Sequence, residues 1–163
     1  MLVALFSTEG SQPDSELAAA LAERVTLQTH HRPPSPDGPT GNALADELVA
    51  AEVALAADRP DAVLIGGGGP PALAAALAAA KLNLPIGRLG AGDELADDPD
   101  PGAPPRQVSA YGRLVDRLAV ARFCVGQPQL AALERAGLGA GAVVAGVKAE
   151  GLVSATAAWL DQL

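Results

Sequence analysis

The run with the most chemistry to offer is Gly66-Gly67-Gly68-Gly69, four glycines in a row followed by Pro70-Pro71. Backbone without Cβ atoms lets successive N–H groups face an anion, and a strand-to-helix turn is where such groups collect. Two readings stand side by side: a cradle for a phosphate or carboxylate, or a tight turn that binds nothing. The run is no Walker loop, because no Lys-Ser or Lys-Thr follows it. It also departs from the dinucleotide fingerprint, since Pro71 stands where the third glycine should be and no well-placed acid follows. Ser7 and Thr8, with Gly90 and Gly92, complete the candidate ligand set if the elements bring them to one edge.

The other reactive side chains form no set. His30 and His31 are adjacent, and neighbours in an extended chain point to opposite faces, so the two do not share one metal. One of them lining a cleft as an acid or base is one reading; a solvated loop pair is the other. Cys124 falls mid-strand, where a small buried hydrophobe is expected rather than a nucleophile. Asp93, Glu94, Asp97, Asp98 and Asp100 crowd the prolines of Gly92–Pro105. Carboxylates suit a hard cation, but their spacing fits no EF-hand loop, and a solvated acidic loop is the expectation. Ser109 and Tyr111 read as ordinary helix residues. No catalytic residue, no metal ligand and no cofactor is therefore predicted.

The elements that must position the glycines are legible from period and punctuation. Ala62–Ile65 is a short apolar run, as in a strand covered on both faces. Pro70 and Pro71 suit the first turn of a helix, Ala72–Leu82 propagates it, and Pro85–Leu89 returns as the next strand. That is a βαβ unit, and such crossovers are almost always right-handed. Before it come a strand at Met1–Phe6, a polar loop Ser7–Asp14, a helix Glu16–Arg24 and a strand Thr26–Thr29. A proline-rich loop from His30 to Gly41 follows, and Asn42 caps a helix through Ala57. After the central unit, Gly92–Pro105 is irregular, Arg106–Leu118 helical and Arg122–Val125 a strand. Pro128–Ala136 is a helix, Ala142–Val147 the sixth strand and Ala149–Leu163 a closing helix carrying Trp159. The fold class is α/β: a single doubly wound, Rossmann-like parallel sheet of about six strands with helices on both faces, one domain over residues 1–163. In such a sheet ligands bind beyond the carboxyl ends of the strands. That edge is expected to hold Ser7–Ser11, His30–Arg32, Gly66–Gly69, Gly90–Glu94 and Gly126–Gln127.

Bulk properties exclude whole classes of partner. A chain of 163 residues can bury a real core, here of Ala, Leu and Val with few aromatics. The net charge of −8 argues against nucleic acid and against anionic membrane surfaces. No apolar run reaches the length of a membrane span. Leu2–Phe6 has no basic region before it, so no signal peptide is expected. A single cysteine rules out an internal disulfide and fits a reducing, cytoplasmic setting.

From Pro60 to Leu152 the chain resembles the N-terminal domain of the non-hydrolysing UDP-N-acetylglucosamine 2-epimerases, of the GT-B class. That family shows a strand ending in His-Gly-Asp and threonines, an Ala-rich helix, then Ile-Pro-Val-Gly-His-Val-Glu-Ala-Gly-Leu-Arg. LIGGGGPPALAAALAAAKLNLPIGRLGAGDE aligns with it without a gap. Leu114–Phe123 (LVDRLAVARF), Leu133–Gly137 (LERAG) and Val144–Leu152 (VAGVKAEGL) resemble later stretches of the same domain. Ser7–Gln12 lacks the family's Arg-Pro-Glu turn.

The departures fall on the family's chemistry. Its His and Asp of His-Gly-Asp fall on Gly66 and Gly68, and the Glu of Glu-Ala-Gly on Gly90. Its paired glutamates and Asn-Arg fall near Val108, Ser109, Tyr111 and Gly112. Epimerisation removes and returns a proton and needs positioned carboxylates. The sequence also ends where the family's second domain, with most of the UDP pocket, would begin. The resemblance thus implies a degenerate, non-catalytic binding or assembly module, with a nucleotide sugar or other anion as ligand of the glycine turn. The alternative is the N-terminal half of a split epimerase-like isomerase completed by another chain. Ala72–Ala80 is apolar on all sides, and family members pair through helices of this domain. A homodimer through helices 42–57 and 72–82 is the expectation, against the reading that small Ala side chains need no cover.

Overall fold

The computed structural model describes residues 1–8, 18–32, 41–96, 107–146 and 149–163. In chain order its elements are β1 (Leu2–Thr8), α1 (residues 18–22), β2 (Thr26–Arg32), α2 (Gly41–Asp58), β3 (Ala62–Ile65), α3 (Pro70–Lys81) and β4 (Ile86–Leu89). Then follow α4 (Asp93–Ala96), α5 (Gln107–Leu118), β5 (Ala121–Cys124), α6 (Gln127–Arg135), β6 (Ala142–Val144) and α7 (Ala149–Leu160). The strands form one parallel sheet in the order β2-β1-β3-β4-β5-β6. This is the α/β doubly wound architecture that the alternation of elements predicts.

Alternation along each strand sorts the core into two layers. Ala4, Val63, Ile65 and Ile86 face one side and meet Ala51 and Leu55 of α2, the alanines of α3, and Val115 and Ala119 at the end of α5. Val3, Leu5, Ala62, Leu64, Leu89 and Phe123 face the other, against Leu21 of α1 and Trp159 and Leu160 of α7. All four residues of β3, β4 and β5 are buried, so each strand is covered on both faces. Each fully buried Leu, Ile or Val in these layers contributes about 1.5–3 kcal/mol. Close approach fixes β4 in the second layer. A Cβ at Gly87 would lie 2.8 Å from carbons of both Leu64 and Trp159, so only glycine lets the closing helix seat its indole there.

Several boundaries differ from expectation, and α2 begins at Gly41, so Asn42 lies inside the helix rather than capping it. β1 runs to Thr8 and β2 to Arg32, so Ser7, Thr8 and His30–Arg32 are strand rather than loop. The register pairs Phe6 with His30, Ser7 with His31 and Thr8 with Arg32, and the Phe6 and His30 rings stack at 4.5 Å. This pairing outlasts the apolar run on which the shorter strands rest. Gly92–Pro105 is not wholly irregular, because Asp93–Ala96 makes one helical turn. β6 stops at Val144, and its Val143 and Val144 lie at the exposed end of the sheet. Residues 9–17, 33–40, 97–106 and 147–148 lie outside the described residues.

The Ala-rich helix finds its cover inside the chain. Seven of the residues of α3 are buried, and α2 and α5 flank it on the same face of the sheet. What remains uncovered is a stripe on α2, with Val49 63% and Val53 65% exposed, and Leu77 of α3 at 39%. Among the described residues, no helix is long and apolar enough to cross a membrane.

Candidate functional site

The strand order places a topological switch between β1 and β3. From β1 the chain leaves toward α1 on one face; from β3 it leaves toward α3 on the other, opening a crevice between the two carboxyl ends. Ser7 and Thr8 stand at one side of this switch point as the last residues of β1, and Gly66–Gly69 follows β3 on the other. Phe6 pairs with Ile65, and the Gly66 N–H donates to the Phe6 carbonyl at 2.8 Å, closing the floor. Gly90 and Gly92 follow β4 at the same edge. The topology therefore brings the candidate ligand residues to one end of the sheet.

Backbone geometry explains why the turn is glycine. Gly67 and Gly69 adopt φ of 70° and 89°, a region that side-chain-bearing residues avoid. Gly69 caps α3, and Pro70 and Pro71 occupy its first positions without N–H groups to offer. The usual anion donors of a helix N-terminus are thus missing at two positions. With the Gly66 amide committed to β1, the donors of the turn are the amides of Gly67, Gly68 and Gly69.

A buried arginine sets the orientation of that turn. Arg88 of β4 is 2% exposed, and its guanidinium donates to the carbonyls of Ile65 and Gly67 from beneath. In a trans peptide the C=O and the following N–H point in opposite directions. Drawing the Gly67 carbonyl inward therefore turns the Gly68 amide outward, away from the core. Drawing the Ile65 carbonyl inward likewise leaves the Gly66 amide for β1. Arg88 is balanced by Asp116 of α5, fully buried, with 3.5 Å between Arg88 Nε and Asp116 Oδ1. The second oxygen, Asp116 Oδ2, accepts the Gly92 N–H at 3.2 Å. One ion pair thus ties the turn after β3, the turn after β4 and α5 into a single unit.

Gly92 serves packing more than ligand. Its φ is 83°, its amide is taken by Asp116, and a Cβ there would lie 2.7 Å from the backbone oxygen of Gln129. Beside Gly90 the mouth is not bare of acids. An Asp93 carboxylate oxygen lies 3.1 Å from where a Gly90 Cβ would stand, and Asp93 is half-buried rather than part of a solvated loop. The short helix that Asp93 opens folds it back against the preceding turn. Glu94 carries no side-chain description here, and Asp97, Asp98 and Asp100 lie outside the described residues.

The two histidines lie at the same edge, in the strand beside β1, and the other candidates lie in β5 and α5. His30 is half-buried, stacked on Phe6, with its Nε2 3.2 Å from Asp58 Oδ2, so it is not a solvated loop residue. His31 follows it in β2, in register with Ser7. Cys124 ends β5, and burial, with Asp116 and Asp93 nearby, pushes its thiol up to about 11 against the opposing pull of Arg122. It is a protonated core residue at neutral pH, with no nucleophilic character. Burial lowers the pKa of Arg122 despite Asp116 and Cys124. Arg122 is held structurally, donating to the backbone oxygens of Asp116 at 2.6 Å and Ala140 at 2.7 Å. Ser109 and Tyr111 lie in α5, as expected. Among the described residues no three His, Cys, Asp or Glu side chains come together in a metal-binding group.

No protein-family model matches the chain, and no curated protein matches it in sequence. Solved structures do match it in three dimensions. The UDP-GlcNAc 2-epimerase of Methanocaldococcus jannaschii superposes with a TM-score of 0.75 at 20% identity, over 89% of this chain and 45% of that one. The fold matches about half of that chain. The UDP-GlcNAc 2-epimerase of Neisseria meningitidis, solved bound to UDP-GlcNAc, gives 0.74 at 17% identity over 100% of this chain and 50% of its own. The Rickettsia bellii UDP-N-acetylglucosamine 2-epimerase gives 0.72 at 14% over 99% and 48%. The present chain thus spans about half the length of the solved structures it matches.

Proposed function

We propose that this epimerase-like half-fold is a non-catalytic binding or assembly module of the cytoplasm. Its glycine-lined mouth takes an anion of the nucleotide-sugar or phosphate class. The observation that carries the reading is Arg88 beneath the turn, which draws in the Gly67 carbonyl and leaves the Gly68 amide facing out. Against catalysis stands the chemistry at the aligned positions. Glycine occupies 66, 68 and 90, and Asp116 is locked to Arg88. Asp93 is the one acid beside these glycines among the described residues, and a single carboxylate does not supply a proton-removing and a proton-returning group on opposite faces of a sugar carbon. Addition of UDP-GlcNAc, UDP and inorganic phosphate in turn to the purified chain tests the binding. A ligand at about a hundred times its Kd adds about 2.7 kcal/mol, a rise in Tm of roughly 5–10 °C for a chain of this size. No rise with any of the three at millimolar concentration overturns the anion reading.

The module is proposed to be a homodimer, the uncovered stripe of Val49 and Val53 on α2 with Leu77 on α3 supplying the apolar contact. Sedimentation showing only monomer at micromolar concentration removes that part. A second reading, half of an epimerase-like isomerase completed elsewhere, draws on the half-length match to enzymes. Recovery of epimerase activity on mixing with a separately expressed UDP-binding domain would favour it.

A further inference from the structure

Away from the mouth, α5, α6 and the single turn of α4 enclose a hollow of about 320 Å³. Its floor is apolar, formed by Leu95, Ala132, Ala136 and Leu138, and Leu95 and Leu138 continue the small core around Ala91, Cys124 and Leu133. Its remaining walls are three arginines, Arg113 and Arg117 one turn apart on α5 and Arg135 on α6. In a chain with 11 basic residues and a net charge of −8, three arginines lining one hollow are a local concentration of basic residues. Arg117 and Arg135 each occupy the last turn of a helix, where a cation is favoured. That accounts for an arginine at each of those two places; it does not account for three arginines lining one cavity. No ion pair among the described residues takes up Arg117 or Arg135.

We infer that this hollow is a binding site for a small organic anion with an apolar body, such as a phosphate or carboxylate on an aromatic or short alkyl group. The volume is at the lower end of small-molecule pockets, and an apolar floor with a few convergent polar groups is their usual build. The guanidinium forks match the paired oxygens of a phosphate or carboxylate, while the leucines and alanines take up the hydrocarbon part. An inorganic anion fills the rim and leaves the floor wet; a neutral aromatic fills the floor and leaves the rim unused. The site requires both halves of the ligand.

Titration of the full chain with phenyl phosphate, phenol and inorganic phosphate, followed by amide chemical shifts, tests this directly. Phenyl phosphate is expected to shift the amides of Leu95, Ala132, Ala136 and Leu138, with phenol and phosphate each binding more weakly. Arg117→Gln and Arg135→Gln lie on exposed side chains and leave the core intact. Each is expected to weaken phenyl phosphate by roughly tenfold, as loss of one charge-assisted pair does. The inference is overturned if phenyl phosphate shifts only the Gly66–Gly92 region or nothing at millimolar concentration. It is also overturned if phenol binds as well, or if the doubly substituted chain binds phenyl phosphate as tightly as the parent.

Discussion

Replacing Asp116 by Asn removes one charge and almost no volume, so it isolates the buried ion pair. Arg88, 2% exposed, then keeps the Ile65 and Gly67 carbonyls as acceptors and loses the Asp116 carboxylate. The Gly92 amide keeps an oxygen to donate to, and the Asp116 backbone oxygen held by Arg122 is untouched. What is lost is the counter-charge 3.5 Å from the guanidinium. Stranding one member of a buried pair costs about 3–5 kcal/mol. At roughly 2–4 °C of Tm per kcal/mol for a domain of this size, Tm should fall by about 6–20 °C. Trp159, the only tryptophan, packs edge-on to Phe123 at 6.0 Å and reports unfolding in urea. The double change Arg88→Met with Asp116→Leu should recover much of the loss, because an apolar pair of similar volume needs no counter-charge. A D116N chain within about 1 kcal/mol of the parent would refute the view that this pair holds the carboxyl edge together.

Other substitutions separate packing from chemistry. Gly92→Ala forces a Cβ against the Gln129 carbonyl at a φ of 83°, and a loss of at least about 1–3 kcal/mol is expected in urea unfolding. Lys81→Ala removes a 2.6 Å pair with Glu52 whose lysine is largely exposed, so stability should change by less than about 1 kcal/mol. Cys124 should resist a thiol reagent at neutral pH until the chain is unfolded. Its thiol titrates near 9 when free and at about 11 when folded. The unfolded chain therefore gives up its proton first, and the stability from this group, intact below pH 9, is lost as pH rises toward 11. Cys124→Ala should flatten that part of the pH–stability curve.

How much of this was legible follows from where each signal sits in the chain. β3, the glycine turn and the start of α3 were readable to the residue, because an apolar run, four glycines and two prolines are all local marks. The parallel sheet followed from the alternation of elements. The residues that organise the mouth were not readable. Arg88 lies in the strand between Gly87 and Leu89, and nothing local tells a buried arginine from a solvated one. Its partner Asp116 is on another helix, and only the fold brings them together. Asp93 was hidden for the opposite reason, as one acid among five in a proline-rich stretch. The strand pairing of His30 was masked by the prolines beyond it, although its stacking on Phe6 is decided by register. The burial of α3 was read from its alanines, yet the helices that cover it were not.

The central claim is a mouth that binds without exchanging protons, and deuterium incorporation measures it most directly. The purified chain is incubated with UDP-GlcNAc in D2O and the C2 position of the sugar is followed by proton NMR. Loss of the C2 proton signal no faster than in a protein-free control is the predicted result. Deuterium at C2 that scales with the concentration of this chain alone would contradict it.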